Sequence, residues 1–375
     1  MVTTPRYLVD LDKFRKNCSE IENAFKTAWG KNTEFGYSVK TNRDPELIKY
    51  AHDQLGWKTE VVSPDEYVYA KTLGNGDRDI ILNGPCKIGL FREMRDLPWI
   101  INLDNEDEVD EFASLFRDYT GFVGLRVNFD LESRCPGETT AGEEVSRFGI
   151  DADLSVFVHC VQRLKEYGIT KIGLHLHSST RTRSLKVFSE LARKAVELKA
   201  QTGTDFSFVD IGGGFFGGQK VAGKPTMAEY AGVICEILRT GYEPEKTMLV
   251  LEPGASVLAT CVSYETRIVN RREIRGVAVL TVDGTALHIN PFLQKRSQPF
   301  DVLDADYLQR QRTAKQIVAG ATCMENDRLA TLIDSAELKK GDILSFHFAG
   351  AYTMAFNSSF IINPPHVDYL SRRQK

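Results

Sequence analysis

Side chains that could do chemistry stand at the ends of four apolar runs in this sequence. They are Lys40 after EFGYSV, His177 after IGLHL, the glycines 212–214 after FSFVDI, and Glu252 after LVL. A lysine at the edge of a buried region can act as a nucleophile and form Schiff bases. Successive glycines let backbone N–H groups converge on a phosphate. A buried carboxylate needs a partner such as a protonated ring nitrogen or an arginine.

Each of these residues also has a purely structural interpretation. Lys40 could be a solvated lysine, the glycines a flexible turn, and Glu252 half of an internal salt bridge. His175 and His177 are two positions apart and face the same side of a strand, where a flat imidazole could stack on an aromatic cofactor. The spacing also suits a metal, but the other five histidines end no predicted strand, so we predict no metal site.

The elements that position these residues follow a regular alternation. Between about residues 33 and 254, short apolar runs alternate with amphipathic stretches of helix length, a pattern that predicts a parallel sheet. The eight strand candidates begin near residues 33, 58, 79, 99, 122, 169, 205 and 247. Eight such units predict a (β/α)8 barrel, in which the chemistry collects at the carboxyl ends of the strands.

A second, mainly β domain is predicted after residue 258. Segments 262–273, 274–285, 328–352 and 358–365 have the pattern of antiparallel strands, with turns at Asp283-Gly284 and Gly341-Asp342. The opening YLVDLDKF alternates like a strand and could pair with this domain. The predicted divisions are therefore 1–24 as an N-terminal segment that joins the β domain, 25–258 as the barrel and 259–375 as the C-terminal β domain.

Composition narrows the class of ligand. The chain has 375 residues, 47 basic and 51 acidic, which argues against nucleic acid or a membrane surface and favours a small molecule. No apolar stretch approaches the roughly 18 residues of a membrane span, and the opening residues lack the apolar core of a signal peptide, so we expect a cytoplasmic protein. The seven scattered cysteines form no C-x-x-C pair and are expected to be reduced thiols.

Six spaced motifs resemble those of one known family. In order they are YSVKTN (37–42), the strand that ends at His177, VDIGGG (209–214), EPG (252–254), Cys323 with Asp327, and GAY (350–352). Together they are similar to the fold-type III pyridoxal-phosphate decarboxylases, the family of ornithine and diaminopimelate decarboxylases, over essentially the whole chain. The resemblance implies an alanine-racemase-like (β/α)8 barrel with a C-terminal mainly β domain, and pyridoxal 5'-phosphate as cofactor.

The resemblance also implies roles for individual barrel residues. Lys40 would form the aldimine with the cofactor, His177 would stack on its ring, and Glu252 would pair with its pyridine nitrogen. A carboxylate at that nitrogen keeps it protonated and makes the ring an electron sink, which agrees with decarboxylation. The other implied cofactor contacts are Gly212, Gly213 and Gly214 at the phosphate, Thr180 and Tyr352 beside it, and Glu66 and Arg126 along the other edge.

Further roles are implied for the β domain. Cys323 would give the proton that quenches the carbanion, and Asp327, Glu325 and Arg296 would contact the substrate. In the family the cysteine and the acid come from the partner subunit, so a homodimer with shared active sites is implied. As an alternative, Cys323 could be a small buried apolar residue.

The sequence differs from the family pattern at two positions that bind the substrate in other members. The family's E-P-G-R has Ala255 as its last residue here, and its Arg-Pro pair appears as Asn290-Pro291. Those two arginines hold the distal carboxylate in the diaminopimelate enzymes, so meso-diaminopimelate is not expected as the substrate, although Lys295 or Arg296 could replace a guanidinium. The segment Leu293–Asp301 is more similar to branches that act on siderophore or antibiotic intermediates.

The sequence therefore predicts an enzyme, a carboxy-lyase that decarboxylates an amino acid or an amino-acid-containing biosynthetic intermediate at its α carbon. Two alternatives remain open. One is a racemase or lyase that uses the same lysine adduct, and the other is a non-catalytic cofactor-binding regulatory homologue. A homologue without catalytic activity would be expected to have lost Lys40 or Cys323, and both residues are present here.

Overall fold

The computed structural model describes residues 3–87, 89–94, 96–295, 298–356 and 359–370. Arg296, one of the predicted substrate contacts, lies outside them. The chain forms two compact units: residues 17–256 make up one, and the two ends of the chain, up to Lys16 and from Val257, make up the other. The predicted domain boundaries at 24 and 258 stay predictions. No helix within the described ranges combines the length and apolar character needed to cross a membrane.

The chain opens with strand β1 (Arg6–Val9) and helix α1 (Leu11–Ala28). A closed barrel of eight parallel strands follows, in which each strand pairs with its neighbours along the chain and the last returns to the first. The eight are β2 (Thr33–Ser38), β3 (Lys58–Val61), β4 (Ile80–Leu82), β5 (Ile100–Leu103), β6 (Phe122–Asn128), β8 (Ile172–His175), β9 (Phe208–Asp210) and β10 (Met248–Leu251), while the short β7 (Ile150–Asp151) pairs with β6. The predicted barrel is confirmed.

Helices connect the barrel strands. They are α2 (Pro45–Leu55), α3 (Pro64–Thr72), α4 (Leu90–Glu93), α5 (Glu106–Leu115), α6 (Leu131–Arg134), α7 (Ser155–Glu166), α8 (Leu185–Thr202) and α9 (Met227–Leu238), with α10 (Ala255–Leu258) after the last strand. Helix α2 illustrates why they begin and end where they do. The Asp44 side chain accepts from the backbone N–H groups of Glu46 and Leu47, Pro45 supplies a fixed φ, and Gly56 closes the helix at φ 70°.

The amino-terminal half of the barrel is filled with apolar side chains. Ile81, Ile100, Phe208 and Val250 are fully buried there, and Met248 lies beside them. A Cβ on Gly173 would lie 2.2 Å from the Phe208 ring, so the missing side chain makes room for that ring. Because this half is closed to water, polar side chains can converge only at the carboxyl ends of the strands.

The second unit is mainly β. Its remaining strands are β11 (Val262–Ile274), β12 (Val277–Val282), β13 (Phe300–Val302), β14 (Arg312–Ala319), β15 (Arg328–Ala336), β16 (Ile343–Phe346) and β17 (His366–Tyr369). They lie in the order β13-β16-β11-β12-β14-β15. Strand β1 pairs antiparallel with β11 and parallel with β17.

Two details predicted for this unit are wrong. Asp283-Gly284 and Gly341-Asp342 join no paired strands; the β11–β12 hairpin turns instead at Arg275-Gly276, where both φ values are positive. The described part of segment 358–365 forms no strand, because its two prolines lack the N–H groups that a sheet uses. The pairs β12–β14 and β1–β17 are parallel, and they involve two strands, β14 and β17, that the sequence analysis does not single out.

Candidate active site

Lys40 meets a buried carboxylate at the mouth of the barrel. Its Nζ lies 2.6 Å from Oε1 and 2.5 Å from Oε2 of Glu60, a residue of β3. The Glu60 side chain is completely buried, whereas Lys40 keeps 29% of its side-chain surface exposed. The Ser38 hydroxyl donates to Glu60 Oε2 at 2.7 Å. Lys40 is therefore held in place by a buried carboxylate, while part of its side chain remains accessible to solvent.

Asn83 joins this pair to Glu252. The Asn83 amide nitrogen, just after β4, donates to Glu60 Oε1 at 3.0 Å and to Glu252 Oε1 at 2.6 Å. The Asn83 carbonyl oxygen accepts from Asn102 at 2.7 Å. Residues in or just after five strands, β2, β3, β4, β5 and β10, thus share one buried hydrogen-bonded network, which holds the carboxyl groups of Glu60 and Glu252 close together.

Glu252 remains ionised despite its burial. Burial alone would raise the pKa of this carboxyl, but His175, Lys40 and the Asn83 hydrogen bond outweigh it and hold the pKa well below its usual value. His175 Nε2 lies 3.6 Å from Glu252 Oε2. The site therefore offers a fixed negative charge deep in the barrel mouth.

His177 stands one layer above His175 on the same face, with the two rings 6.3 Å apart and nearly parallel. Burial, followed by the charges of Lys40 and Arg126, lowers the pKa of His177 to about 3. The Gly213 N–H donates to His177 Nδ1 at 3.2 Å. His177 is accordingly a neutral, flat ring at neutral pH.

The glycine turn after β9 packs tightly against these groups. A Cβ on Gly212, whose φ is +69°, would lie 2.6 Å from His177 Nδ1, and one on Gly213 would lie 2.3 Å from the Glu252 carbonyl oxygen. Gly214 also has a positive φ, +87°, with open space where a Cβ would stand. Glycine is required at all three positions, for contact at the first two and for conformation at the first and third.

The structure brings Arg126 close to this cluster. Its Nη1 lies 3.2 Å from Asp104 Oδ1, its Nη2 lies 3.5 Å from the His177 carbonyl oxygen, and its guanidinium covers the Phe148 ring at 4.4 Å. Burial lowers the pKa of Arg126, opposed by Asp104. Thr180 is half-buried and lies in an isolated antiparallel bridge with Thr139.

Glu66 is engaged in the β3–α3 connection. Its Oε2 accepts from the Val62 N–H at 2.9 Å, and its own N–H donates to the Ser63 hydroxyl at 3.2 Å. Burial raises its pKa. Glu66 thus caps helix α3, and a cofactor contact by this residue stays a prediction.

The predicted residues of the β unit lie around one loop. Cys323 is exposed. Asp327 is 2% exposed, and its oxygens accept from the Ala286 N–H at 2.7 Å, the Thr322 N–H at 3.1 Å and the Thr322 hydroxyl at 2.6 Å. A carboxylate so engaged holds the loop in shape, and the expected substrate contact of Asp327 stays a prediction. Glu325 is solvent-exposed and pairs with Arg328 at 2.8 Å.

Two further residues bear on the substrate and the cofactor. Tyr352 has a φ of +56° and is 42% exposed, so its hydroxyl is accessible within this unit. Asn290 is 8% exposed; its amide donates to the Gln294 carbonyl at 2.8 Å, and its side-chain oxygen accepts from the Gln294 N–H at 3.2 Å. Both ends of the Asn290 amide are thus engaged in its own loop.

Sequence reasoning from strand ends missed Glu60. It lies within the strand KTEV, followed by Val61 and Val62, and not at the end of the apolar run. A carboxylate inside an apolar run was the available signal, because a buried charge requires a partner. Asn83, just after β4, and Asp210, fully buried at the end of β9, are likewise given no role by the sequence analysis.

Comparison with known proteins places the chain in a family. Residues 11–259 match the family described as "Pyridoxal-dependent decarboxylase, pyridoxal binding domain". The chain belongs to this family of pyridoxal-dependent decarboxylases. It is accordingly an amino-acid carboxy-lyase whose cofactor is pyridoxal phosphate.

Individual relatives are distant but cover most of the chain. The diaminopimelate decarboxylase of Aquifex aeolicus is 24% identical over 98% of this chain and 86% of its own length. A crystal structure of Helicobacter pylori diaminopimelate decarboxylase complexed with L-lysine has a TM-score of 0.81 at 20% identity, covering 100% of this chain and 93% of that one. The Paramecium bursaria Chlorella virus arginine decarboxylase bound to agmatine has a TM-score of 0.79 at 19% identity, covering 99% and 98%.

The barrel residues fit pyridoxal phosphate. Lys40 offers a reachable amine, and Glu252 offers the charged carboxylate that a protonated ring nitrogen needs. The turn at Gly212–Gly214 keeps its backbone free of side chains, as close approach to a phosphate requires.

Proposed function

We propose that this decarboxylase acts on an amino acid or amino-acid-containing intermediate other than meso-diaminopimelate, and that Lys40 is the lysine that binds the cofactor. The observation that carries the proposal is the contact of Lys40 with buried Glu60, since it fixes an accessible amine beside the glycine turn. Asn83 extends the same network to Glu252.

The bound cofactor supplies an electron sink for the electron pair left behind when CO2 departs. In our proposal Glu252 keeps the ring nitrogen protonated, and the neutral ring of His177 stacks on the cofactor. The turn at Gly212, Gly213 and Gly214 lets the phosphate approach its backbone closely, with the hydroxyls of Thr180 and Tyr352 as donors. Arg126 adds positive charge along the other edge.

Glu60 has a role in this scheme that complements Lys40. Its two oxygens lie within 2.6 Å of Lys40 Nζ, so the carboxylate can hold the proton that the amine must lose and regain when substrate and lysine exchange places. The Ser38 and Asn83 hydrogen bonds keep those oxygens aimed at Nζ. Glu60 therefore joins the proposed set of catalytic residues.

The proposed substrate choice depends on two missing guanidinium groups. Ala255 carries no charge, and the Asn290 amide is occupied by Gln294 on both of its ends. A distal carboxylate in a desolvated site needs a charged partner, and its loss costs roughly 2–5 kcal/mol. We therefore propose a substrate that has no distal carboxylate facing Ala255 and Asn290. Siderophore and antibiotic precursors are the candidates to test.

Cys323 is proposed as the proton donor, supplied by the partner subunit of a homodimer. Its exposure and the anchoring of its loop by Asp327 support this role. Asp327 would act as a positioning residue for this loop, and it stays a candidate for contact with the substrate. Glu325 and Arg296 also stay candidates for contact with the substrate.

The first experiment tests Lys40. Borohydride reduction of the reconstituted enzyme followed by peptide mapping should place the pyridoxyl group on Lys40, and Lys40→Ala should lack both the adduct and turnover. Lys58→Ala, in the neighbouring strand, is the control and should keep both. A pyridoxyl group on another lysine, or turnover by Lys40→Ala, would overturn the proposal.

A second experiment tests the substrate. The reconstituted enzyme is offered a panel of amino acids and biosynthetic intermediates, with CO2 release and α-proton exchange measured in parallel. CO2 release identifies decarboxylation, and exchange alone would indicate racemisation. Efficient turnover of meso-diaminopimelate would contradict the proposed substrate class. The threshold is a kcat/KM of about 10⁴ M⁻¹s⁻¹, the low end for efficient enzymes. Such a result would point to Lys295 or Arg296 as the residue that binds the distal carboxylate.

A further inference from the structure

His175 lies beside the proposed cofactor site but has no role in the proposed function. It is 2% exposed, and within the described ranges neither ring nitrogen has a hydrogen-bond partner. Leaving a buried imidazole unsatisfied is costly, and native structures rarely do so without a reason. Its nearest polar atom given by the structure is Glu252 Oε2, 3.6 Å from Nε2.

Asp210 completes a compact cluster with these two residues. A side-chain nitrogen or oxygen from each of the three lies within 4.8 Å of those of the other two. Asp210 Oδ1 accepts from the Gly212 N–H at 2.7 Å, while Oδ2 is buried without a partner among the described residues. Two carboxyl groups and one imidazole therefore share a dry space at the ends of β8, β9 and β10.

The protons in this cluster are unevenly distributed. Burial and the negative charge of Glu252 raise the pKa of Asp210 well above its usual value, so Asp210 is the neutral acid. Glu252 is the anion. Asp210 and Glu252 share one negative charge, and Glu252, 3.6 Å from the imidazole, carries it.

We infer that His175 is a positioning residue that keeps Glu252 ionised and fixed for its contact with the cofactor's ring nitrogen. The inference rests on the proposed function, because it needs Glu252 to face that nitrogen. His175 Nε2 lies 3.6 Å from Glu252 Oε2, and this neighbour favours the ionised form of the carboxylate, so the proton between Glu252 and the cofactor stays on the cofactor's ring nitrogen. Without His175 the carboxylate becomes more basic and takes that proton.

Other charges also act on Glu252. The titratable or charged groups around it are Lys40 after β2, Glu60 on β3, Arg126 on β6, His177 after β8 and Asp210 on β9. Lys40 is committed to Glu60, and Arg126 to Asp104. His175 is the titratable group for which the structure gives a distance to a Glu252 oxygen, 3.6 Å from Nε2 to Oε2.

The test uses holoenzyme loaded with pyridoxal phosphate that carries ¹⁵N in its ring, because the ¹⁵N chemical shift reports directly whether that nitrogen is protonated. In His175→Phe we expect the signal to move at least halfway from the pyridinium position toward neutral pyridine, a change of about tenfold or more in proton partition. His175→Asn, smaller and uncharged, should do the same if the aromatic variant folds poorly. His159→Phe, on the exposed surface of α7, should leave the signal unchanged.

Glu252→Gln separates this inference from the proposed function. If Glu252→Gln moves the signal and both His175 variants keep it at the wild-type position, His175 has no positioning role and the inference is wrong while the role of Glu252 stands. If Glu252→Gln also leaves the signal in place, the proposed pairing of Glu252 fails and the inference fails with it.

Discussion

Lys40 and Glu60 form a two-pronged contact in which Nζ lies 2.6 Å from one carboxylate oxygen and 2.5 Å from the other. Glu60 is fully buried, so it cannot exchange Lys40 for water. The ionised carboxylate stabilises the protonated amine and fixes its position. Lys40 is therefore positioned by a neighbouring strand and not by its own flexible stem.

Glu60→Gln should reduce kcat/KM by roughly thirtyfold, because it removes a charge-assisted hydrogen bond worth about 2 kcal/mol. The amide keeps the shape of the carboxylate and can still accept from Ser38, so the urea midpoint should change little. Steady-state kinetics on the best substrate of the panel provide the measurement. Glu34→Gln, on β2, is the matched control, and equal losses in the two variants would contradict a specific role for Glu60.

Gly212→Ala should damage both stability and cofactor binding. Its added methyl would overlap the His177 ring at a φ of +69°, whereas Gly203, the C-cap of α8, has a similar φ of +61° and nothing within 4 Å. We expect Gly203→Ala to cost about 1 kcal/mol from backbone strain alone and Gly212→Ala about 3 kcal/mol. Urea denaturation and titration of the cofactor measure the two effects.

The comparison of the two glycine variants isolates the turn. Cofactor affinity should fall at least about tenfold in Gly212→Ala and stay within about twofold in Gly203→Ala. An unchanged affinity in Gly212→Ala would mean that the turn contributes nothing to cofactor binding.

His177 should make the cofactor-free protein less stable in mild acid. Its folded pKa of about 3 lies below the unfolded value of 6.5, so the unfolded chain binds the extra proton, and stability is lost as the pH falls through that window. At pH 5.5 the loss relative to pH 7 should be about 1 kcal/mol. Buried His288, with a pKa of about 4, adds a similar loss of its own. Urea unfolding at both pH values should therefore show a loss in His177→Asn that is about 1 kcal/mol smaller than the loss in wild type and in His159→Asn.

Mixing two inactive variants tests whether the active site is shared between subunits. Lys40→Ala and Cys323→Ala chains should each be inactive, and an equal mixture after subunit exchange should recover about a quarter of wild-type activity. Half of the random dimers are then hybrids, each with one intact site of two. Verified exchange without recovery would place Cys323 in the site of its own chain or outside any site.

The barrel was predictable because its strands are short apolar runs bounded by polar residues, as IILN (80–83) and MLVLE (248–252) illustrate. Strand β14 was missed because RTAKQIVA places Arg312 and Lys315 on an exposed surface and breaks the apolar alternation. The contact of Glu60 with Lys40 depends on the register of β2 and β3, in which Ser38 pairs with Glu60. Such a relationship between strands has no counterpart in the spacing of residues along either one.

The pairing of β1 has a consequence for biosynthesis. Arg6 pairs with Glu265 of β11 on one side and with His366 of β17 on the other, 360 positions later in the chain. At a synthesis rate of roughly 5–20 residues per second, β1 waits about 20–70 s on the ribosome for its last neighbour. Its unpaired edge is available to other nascent chains throughout that time. Chaperone protection during translation should therefore matter more for this sheet than for the barrel, where all pairs but the closing one, β10 with β2, join consecutive barrel strands.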